Sequence, residues 1–305
     1  PRRQPDRAKQ NDQRRREAAD GSDDRTADTN LEKSVFHGHQ FSHSGGGENR
    51  QFSVTRLALS VYPRAMTTNY PTKQEARQAV WDRLKNEKLS AFPFPPHGRI
   101  PNFKGAKDAA LRLFDEPEWR DAKRIKVNPD SPQKYVRAEA LRRGITVYVP
   151  TPKLKAGFLK LDPAKIPHDA INNASQMSRC AQWAEPVALK DLPQMDAIVT
   201  GCVAVTDTGR RAGKGAGYSD IEFAILRELG HDAVPVATTV NDVQVVGAFP
   251  IESNDLPLTV IATPTQKIRI ENPPPPPNAI EWDRLSDQDL EDMPILRELR
   301  DMKRS

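Results

Sequence analysis

Between residues 123 and 264, short apolar runs alternate with helix-patterned stretches, and this alternation leaves few folds open to the chain. Lys123 to Val127 is strand-like, Gln133 to Arg143 has helical periodicity closed by Gly144, and ITVYVP at 145–150 is a buried strand stopped by a proline. DAIVTGCVAV at 196–205 is long enough for one central strand or two short ones. Tyr218 to Leu229 reads as a helix ending at Gly230, and AVPVATTV at 233–240 and LPLTVIATP at 256–264 supply two more strands. Strand, helix and strand in that order call for right-handed crossovers. The expected architecture is therefore an α/β domain layered around a mostly parallel central sheet flanked by helices.

On the amino-terminal side Thr72 is placed to cap a helix from Lys73 to about Lys88, in which Ala76, Val80 and Leu84 recur at i, i+4 and i+8 beside Trp81. The next segment, AFPFPPHGRIPNFKG, holds four prolines and cannot be a helix. Phe92, Phe94, Ile100 and Phe103 make it too apolar for a free linker, so it reads as an ordered loop, followed by a helix from Ala106 to Phe114. Pro273 to Pro277 form a stiff spacer, and Asp287 to Met302 reads as a charged amphipathic helix on the domain's outside. One folded domain over 66–305, without internal repeats, accounts for these segments.

Residues 1–65 are of another kind. They carry 12 Lys or Arg against 9 Asp or Glu and few apolar residues before Val54. Such a stretch cannot bury enough surface to offset the roughly 1–2 kcal/mol per residue that backbone ordering costs, so a disordered N-terminal tail is expected. The first methionine is Met66, immediately before the patterned region, which makes the segment either an upstream extension ahead of a start at Met66 or a genuine arm. Its acidic residues argue against a transit peptide. His37, His39 and His43 fall there as a polar run without a fold. Net charge is +5, mostly from this tail, so the folded part gives little reason to expect a nucleic-acid partner. With no run of about 18 apolar residues, no membrane span is expected. Cys180 and Cys202 alone suit the reduced thiols of a cytoplasmic protein and offer no disulfide or zinc framework. Monomer and dimer are equally open.

The segment GRRAGKGAGYSD at 209–220 carries the chemistry. Gly213, Gly215 and Gly217 permit positive φ and close approach of backbone to a ligand, and Arg210, Arg211 and Lys214 bring positive charge to the same place. It follows an apolar strand and opens a helix near Tyr218, where a phosphate gains backbone amides and the helix dipole. It is no P-loop, because Gly213-Lys214 precedes a glycine rather than Ser or Thr, and no dinucleotide fingerprint, because Tyr218 stands where the third glycine belongs. A kinase would need HRD and DFG, which the chain lacks. A solvated mobile loop is the plain alternative. Asp220, one turn into the helix, is placed either to hold magnesium beside a polyphosphate or merely to complement the helix dipole.

RxGxGxGYxD at Arg211–Asp220, Lys73-x-x-x-Arg77 on the first helix and ITVYVPTP together resemble the 5-formyltetrahydrofolate cyclo-ligase family, also called methenyltetrahydrofolate synthetases. HGRIPNFKGA at 97–106, VPTPKLKAG at 149–157, TTVNDVQVV at 238–246 and MPILRELR at 293–300 look like blocks of its divergent, domain-containing branch. The resemblance runs from about residue 72 to 302 and implies a Rossmann-like cyclo-ligase fold. It implies transfer of the γ-phosphoryl of ATP to the formyl oxygen of 5-formyltetrahydrofolate, followed by ring closure to 5,10-methenyltetrahydrofolate, with ATP and magnesium required and the folate as small-molecule partner. Lys73, Arg77, Arg211, Gly213, Lys214, Gly215 and Gly217 are then the ATP-binding residues, with Arg211 and Lys214 also catalytic. Tyr218 lies against the substrate's pterin, and Asp220 binds the metal. Without the resemblance, Lys73 and Arg77 read as a solvated surface pair.

The chain also departs from the family pattern. The paired tyrosines of Tyr-Tyr-Asp are here Tyr218-Ser219-Asp220, and the folate-contacting glutamate has no close counterpart in NPDSPQKYVRAEAL, where Asp130 is the nearest carboxylate. The alternative to a cyclo-ligase is thus a non-catalytic protein of the same fold that binds nucleotide or associates with RNA, although no RNP-like aromatic block is present. A third reading is an ATP-dependent enzyme with another acceptor.

Overall fold

The computed structural model describes residues 68–302, so the expectations for the tail, its histidines and a start at Met66 lie outside the described residues. In chain order the elements are α1 (Lys73–Asn86), α2 (Ala106–Leu113), α3 (Pro117–Arg120), β1 (Arg124–Val127), α4 (Lys134–Arg142), β2 (Thr146–Pro150), β3 (Phe158–Leu161), α5 (Ile171–Ala174), β4 (Ala184–Val187) and β5 (Ala197–Thr200). Then follow β6 (Ala204–Thr206), β7 (Arg211–Ala212), α6 (Tyr218–Glu228), β8 (Val236–Thr239), β9 (Val245–Val246), β10 (Val260–Ala262), β11 (Lys267–Arg269), α7 (Asp287–Asp292) and α8 (Ile295–Met302).

Eight strands form one sheet in the order β11-β10-β8-β5-β1-β2-β3-β4. The five central strands, β10 to β2, are parallel, as the strand–helix alternation requires. Antiparallel β11 finishes one edge, and β3 and β4 finish the other. Side chains alternate across the sheet with period two. Ala197, Val199, Val147 and Val149 enter one core with Leu113, Leu141 and Ile171, whereas Ile198 and Tyr148 join Phe223, Leu226 and Leu299 on the opposite face. Helices α2, α4 and α5 therefore cover one side, and α6 and α8 the other.

The run 196–205 proves to be two short strands serving different sheets. After β5 the chain leaves the large sheet at Gly201, and β6 enters a three-stranded sheet ordered β7-β6-β9. Ala76, Val80 and Leu84 of α1 pack against this small sheet through Val203, Ala204, Ala212 and Val246. That contact holds α1 beside the glycine-rich segment, since β7 leads directly into it.

Two local expectations change. Helix α1 ends at Asn86, and Lys88 already takes a left-handed φ of 55°. The single helix expected over 287–302 is two, because Pro294 has no N–H to donate and drives Met293 out of the helical region, to φ −123° and ψ 74°. The stiff proline run also packs on the domain: Pro277 is buried, and Pro274 and Pro275 help to line a cavity of about 180 Å³ with Glu252 and Asp255.

At the β11 edge, Lys267 Nζ reaches Glu116 at 2.5 Å, Arg269 pairs with the same carboxylate, and Arg269 also bonds Glu118 at 2.8 Å. Burial pushes the Glu116 carboxyl up, but the two cations outweigh it and hold the group below the usual glutamate range. A depressed native pKa means that the ionised form favours the fold, so this stabilisation is complete at neutral pH and is lost as pH falls through the native value. Glu116→Gln should lower the urea-unfolding free energy by about 1–3 kcal/mol at pH 7. The gap from the parent protein should close as the pH is taken down through the carboxylate range.

Candidate functional site

Strand order reverses between β1 and β5, with β2 on one side of β1 and β5 and β8 on the other. In open α/β sheets the crevice beyond the carboxyl ends of strands at such a reversal is where ligands bind. Here a cleft of about 420 Å³ opens at that point. Asn128 to Asp130 after β1 and Gly201 after β5 form part of it, the glycine-rich loop and the start of α6 another part, and Thr151 to Lys153 a third.

The cleft floor is built on buried charge. In the strand RIKV, Ile125 and Val127 face the α2–α4 core, so Lys126 must face α6. There it pairs with Glu222, both side chains being essentially fully buried. Burial pushes the Glu222 carboxyl up while Lys126 opposes the shift. Lys126 Nζ also donates to Asn128 Oδ1 at 2.7 Å, and Asn128 Nδ2 donates to Ser219 Oγ at 2.8 Å. The turn after β1 is held from below by Arg137 of α4, whose guanidinium donates to the carbonyls of Asn128, Pro129, Asp130 and Ser175. Complete burial lowers the Arg137 pKa to about 10, with the Asp130 carboxylate opposing the shift. Asp130 itself is pushed up by burial, against the pull of Lys214, Arg137 and Lys126. A Cβ on Gly201 would lie 2.8 Å from Asp130 Oδ2 and 3.0 Å from Ile100, so the absence of a side chain lets the two strand ends close around the carboxylate.

Above this floor the glycines of the loop do different work. Gly215 and Gly217 have φ of 111° and 67°, as expected of a loop that turns its amides inward. Gly213 does not take positive φ; it gives room instead to Arg211, whose Nη1 would stand 3.2 Å from a Cβ there. Arg211 is buried and donates Nη2 to Asp220 Oδ1 at 2.7 Å, an oxygen that also accepts Leu256 N–H at 2.8 Å. Burial alone would lower the Arg211 pKa, but the Asp220 carboxylate opposes it and the value is raised. Arg211 Nε has no hydrogen-bond partner. Arg77 donates Nε to Gly213 O at 2.6 Å, and its pKa is lowered, first by burial and then by repulsion from Arg211. Two guanidiniums close enough to repel, one with an unused buried N–H, at the amino end of α6, form a donor set that a phosphate group would satisfy.

Of the residues the sequence singled out, Arg211, Gly213, Lys214, Gly217, Tyr218 and Asp220 line the cleft together. Lys214 is exposed, with its ammonium 5.9 Å from the centre of the Tyr218 ring. Lys73, Arg77 and Gly215 do not line it. Arg77 braces the loop, and Lys73 Nζ is committed to Asp255 at 2.6 Å and Glu252 at 3.3 Å. Among the described residues there is no group of three or more His, Cys, Asp or Glu arranged to hold a metal. Both hydrogen bonds to the Asp220 carboxylate use Oδ1, leaving Oδ2 open, whereas Asp255 is taken up by Lys73 and by the Glu252 N–H. Magnesium needs only one or two carboxylates when phosphate oxygens complete its shell, so the open oxygen of Asp220 fits it.

Lys126, Asn128, Arg137, Gly201, Glu222 and Asp255 were not found from the sequence. A signal existed for two of them: a lysine inside RIKV and a glutamate inside IEFAIL are opposite charges in apolar runs on elements that must pack together. Lys126→Met should destabilise the protein by about 3–5 kcal/mol, because it leaves Glu222 buried without a partner. The double variant Lys126→Met with Glu222→Leu should recover most of that loss in a denaturant titration, since apolar replacement removes both desolvation penalties.

The model of the 5-formyltetrahydrofolate cyclo-ligase family matches residues 69–264, more than half of the chain. A methenyltetrahydrofolate synthase domain-containing protein of Bos taurus is 39% identical over 235 residues, covering 75% of this chain and 62% of that protein. Its Mus musculus counterpart is 38% identical over 239 residues, covering 76% and 64% respectively. The chain thus spans just under two thirds of the length of these relatives. Among solved structures, an Aquifex aeolicus 5,10-methenyltetrahydrofolate synthetase is 18% identical with a TM-score of 0.42, covering 66% of this chain and 93% of that one.

Proposed function

This chain belongs to the 5-formyltetrahydrofolate cyclo-ligase family, and on that premise we propose that it uses ATP with magnesium to convert 5-formyltetrahydrofolate to 5,10-methenyltetrahydrofolate. The observation that carries the reading is the grouping of Arg211, Gly213 and Asp220 at the amino end of α6, braced from behind by Arg77, on the same cleft as Asp130 and Ser219.

In this reading the formyl oxygen attacks the γ-phosphorus as the bond to the ADP oxygen breaks. The neighbouring amine then adds to the activated carbon and gives up its proton, and the carbon–oxygen bond breaks to release inorganic phosphate. Such chemistry asks for alignment and charge neutralisation more than for covalent help from the protein. Arg211 and Lys214 neutralise phosphate charge, while the loop amides and the α6 dipole bind the oxygens. Arg77 fixes the loop through Gly213. Tyr218 offers a ring face to the substrate, and the Asp130 carboxylate accepts N–H donors from its polar edge. Magnesium, when bound, would supply further charge neutralisation at the phosphates, with Asp220 to hold it. A second reading, nucleotide binding without turnover, is favoured by the folate half of the cleft, where Ser219 stands in place of the family's second tyrosine and Asp130 is the nearest carboxylate to the missing glutamate.

The test is to incubate the full chain with ATP, magnesium and 5-formyltetrahydrofolate and follow the methenyl product by its near-ultraviolet absorbance, with a control lacking ATP. Product should form only with ATP. Lys214 is exposed, so Lys214→Ala should leave the melting temperature unchanged and lower kcat/KM by about 10- to 1,000-fold. Asp220→Asn should abolish turnover and also cost stability, because Arg211 loses its carboxylate. ATP binding without product would favour the second reading, and a Lys214→Ala protein as active as its parent would remove Lys214 from the chemistry.

A further inference from the structure

Ser219 is a cleft residue whose hydrogen-bond polarity is fixed by groups beneath it. Lysine carries donors only, so the Asn128 atom 2.7 Å from Lys126 Nζ must be the amide oxygen. That settles the orientation of the amide, and the Asn128 nitrogen, 2.8 Å from Ser219 Oγ, must donate to it. A hydroxyl that accepts from Asn128 keeps its own proton for another partner. Among the described residues no protein atom takes that proton, and Ser219 is half-buried on the cleft wall. The order of donors therefore runs outward from the buried ion pair: Lys126, held by Glu222, then Asn128, then Ser219, with one unused O–H at the end.

We propose that Ser219 is a specificity-determining donor whose hydroxyl binds an oxygen of the phosphoryl acceptor, and that Lys126 and Asn128 are positioning residues that set its polarity. The proposal rests on the cyclo-ligase reading for the identity of that oxygen. A donor on the formyl oxygen would withdraw electron density from the atom that attacks phosphorus. The partner is therefore an oxygen that takes no part in the reaction, and because Tyr218 and Asp130, set by this reading against the pterin ring and its polar edge, line the same cleft as Ser219, it is the amide-type ring carbonyl of that edge. Loss of one oriented hydrogen bond in a partly desolvated cleft should be felt in acceptor affinity and not in nucleotide affinity.

The experiment measures binding of 5-formyltetrahydrofolate and, separately, of ATP by calorimetry on the full chain and three variants. Ser219→Ala removes the donor. Ser219→Thr keeps it. Asn128→Asp replaces the amide by an acceptor-only group, so the Ser219 hydroxyl turns inward to donate and its proton is lost to the cleft. Ser219→Ala and Asn128→Asp should each weaken folate binding by about 5- to 20-fold, with Ser219→Thr within about twofold of the parent and ATP affinity unchanged in all three. Ser219→Ala protein that binds the folate as tightly as its parent overturns the proposal and leaves the cyclo-ligase reading standing. Weak binding in Ser219→Ala with full binding in Asn128→Asp overturns the positioning role. A parent protein that binds ATP but no 5-formyltetrahydrofolate overturns the acceptor reading and the assigned carbonyl with it.

Discussion

The ion pair between Lys126 and Glu222 ties the central strand β1 to helix α6 where the cleft forms. Taking both charges out of water costs several kcal/mol per ion, and a pair of apolar residues could fill the space at no net loss. What such residues could not do is fix one orientation of α6 on the sheet. An ammonium that must satisfy Glu222 and Asn128 at once tolerates no slip of the helix along the strand. Because the first turn of α6 is also the end of the glycine-rich loop, fixing the helix fixes where the loop amides point. Arg137 fixes the other side of the cleft by taking up the carbonyls of residues 128–130, which would otherwise be buried without donors.

The loop itself is held by charge of a less settled kind. Arg211 is neutralised by Asp220, yet it still lowers the pKa of Arg77 and keeps one N–H without a partner. Guanidiniums that repel one another across the loop suit the polyanion of the proposed reading, and a site organised before its ligand arrives spends less binding energy on ordering. In the proposed reading, a phosphate entering the loop would take over part of the Arg211 charge, and the free oxygen of Asp220 would turn to the cation that accompanies it.

The sheet was legible because its apolar runs and glycine stops are local signals. The parallel core, α1, α2, α4 and α6 all fall where periodicity puts them, to within a few residues. The antiparallel edges β3, β4 and β11 were not, since FLKL, AEPV and KIR are short and half-exposed and carry no pattern of their own. Pro294 was passed over because the residues on both sides of it are helical, and only its missing N–H breaks the run. At the site, the loop was readable because glycine and cation spacing is contiguous. Lys126, Asn128, Gly201 and Glu222 act through partners on distant elements, and Arg137, although it reaches carbonyls only seven to nine residues away, does so across a turn that no residue pattern announces. Lys73 shows the converse: helical spacing put it on one face with Arg77, but its partners lie some 180 residues away, at Glu252 and Asp255.

Ser219 in place of the family's second tyrosine changes how the cleft recognises what it holds. A tyrosine there would offer a broad face, which grips any flat ring of suitable size with little regard to its edge. A serine gives up that area, and the cleft compensates with direction, since Asn128 leaves the hydroxyl only one proton to offer. A tyrosine face would hold many flat rings alike, whereas the proposed Ser219 donor is worth a modest factor to a ligand with an acceptor oxygen in line and nothing to one without. In that role, contact area is exchanged for direction. In that role the Lys126–Glu222 pair has a second consequence: without Lys126 the Asn128 amide could flip, and the polarity of the hydroxyl would no longer be defined.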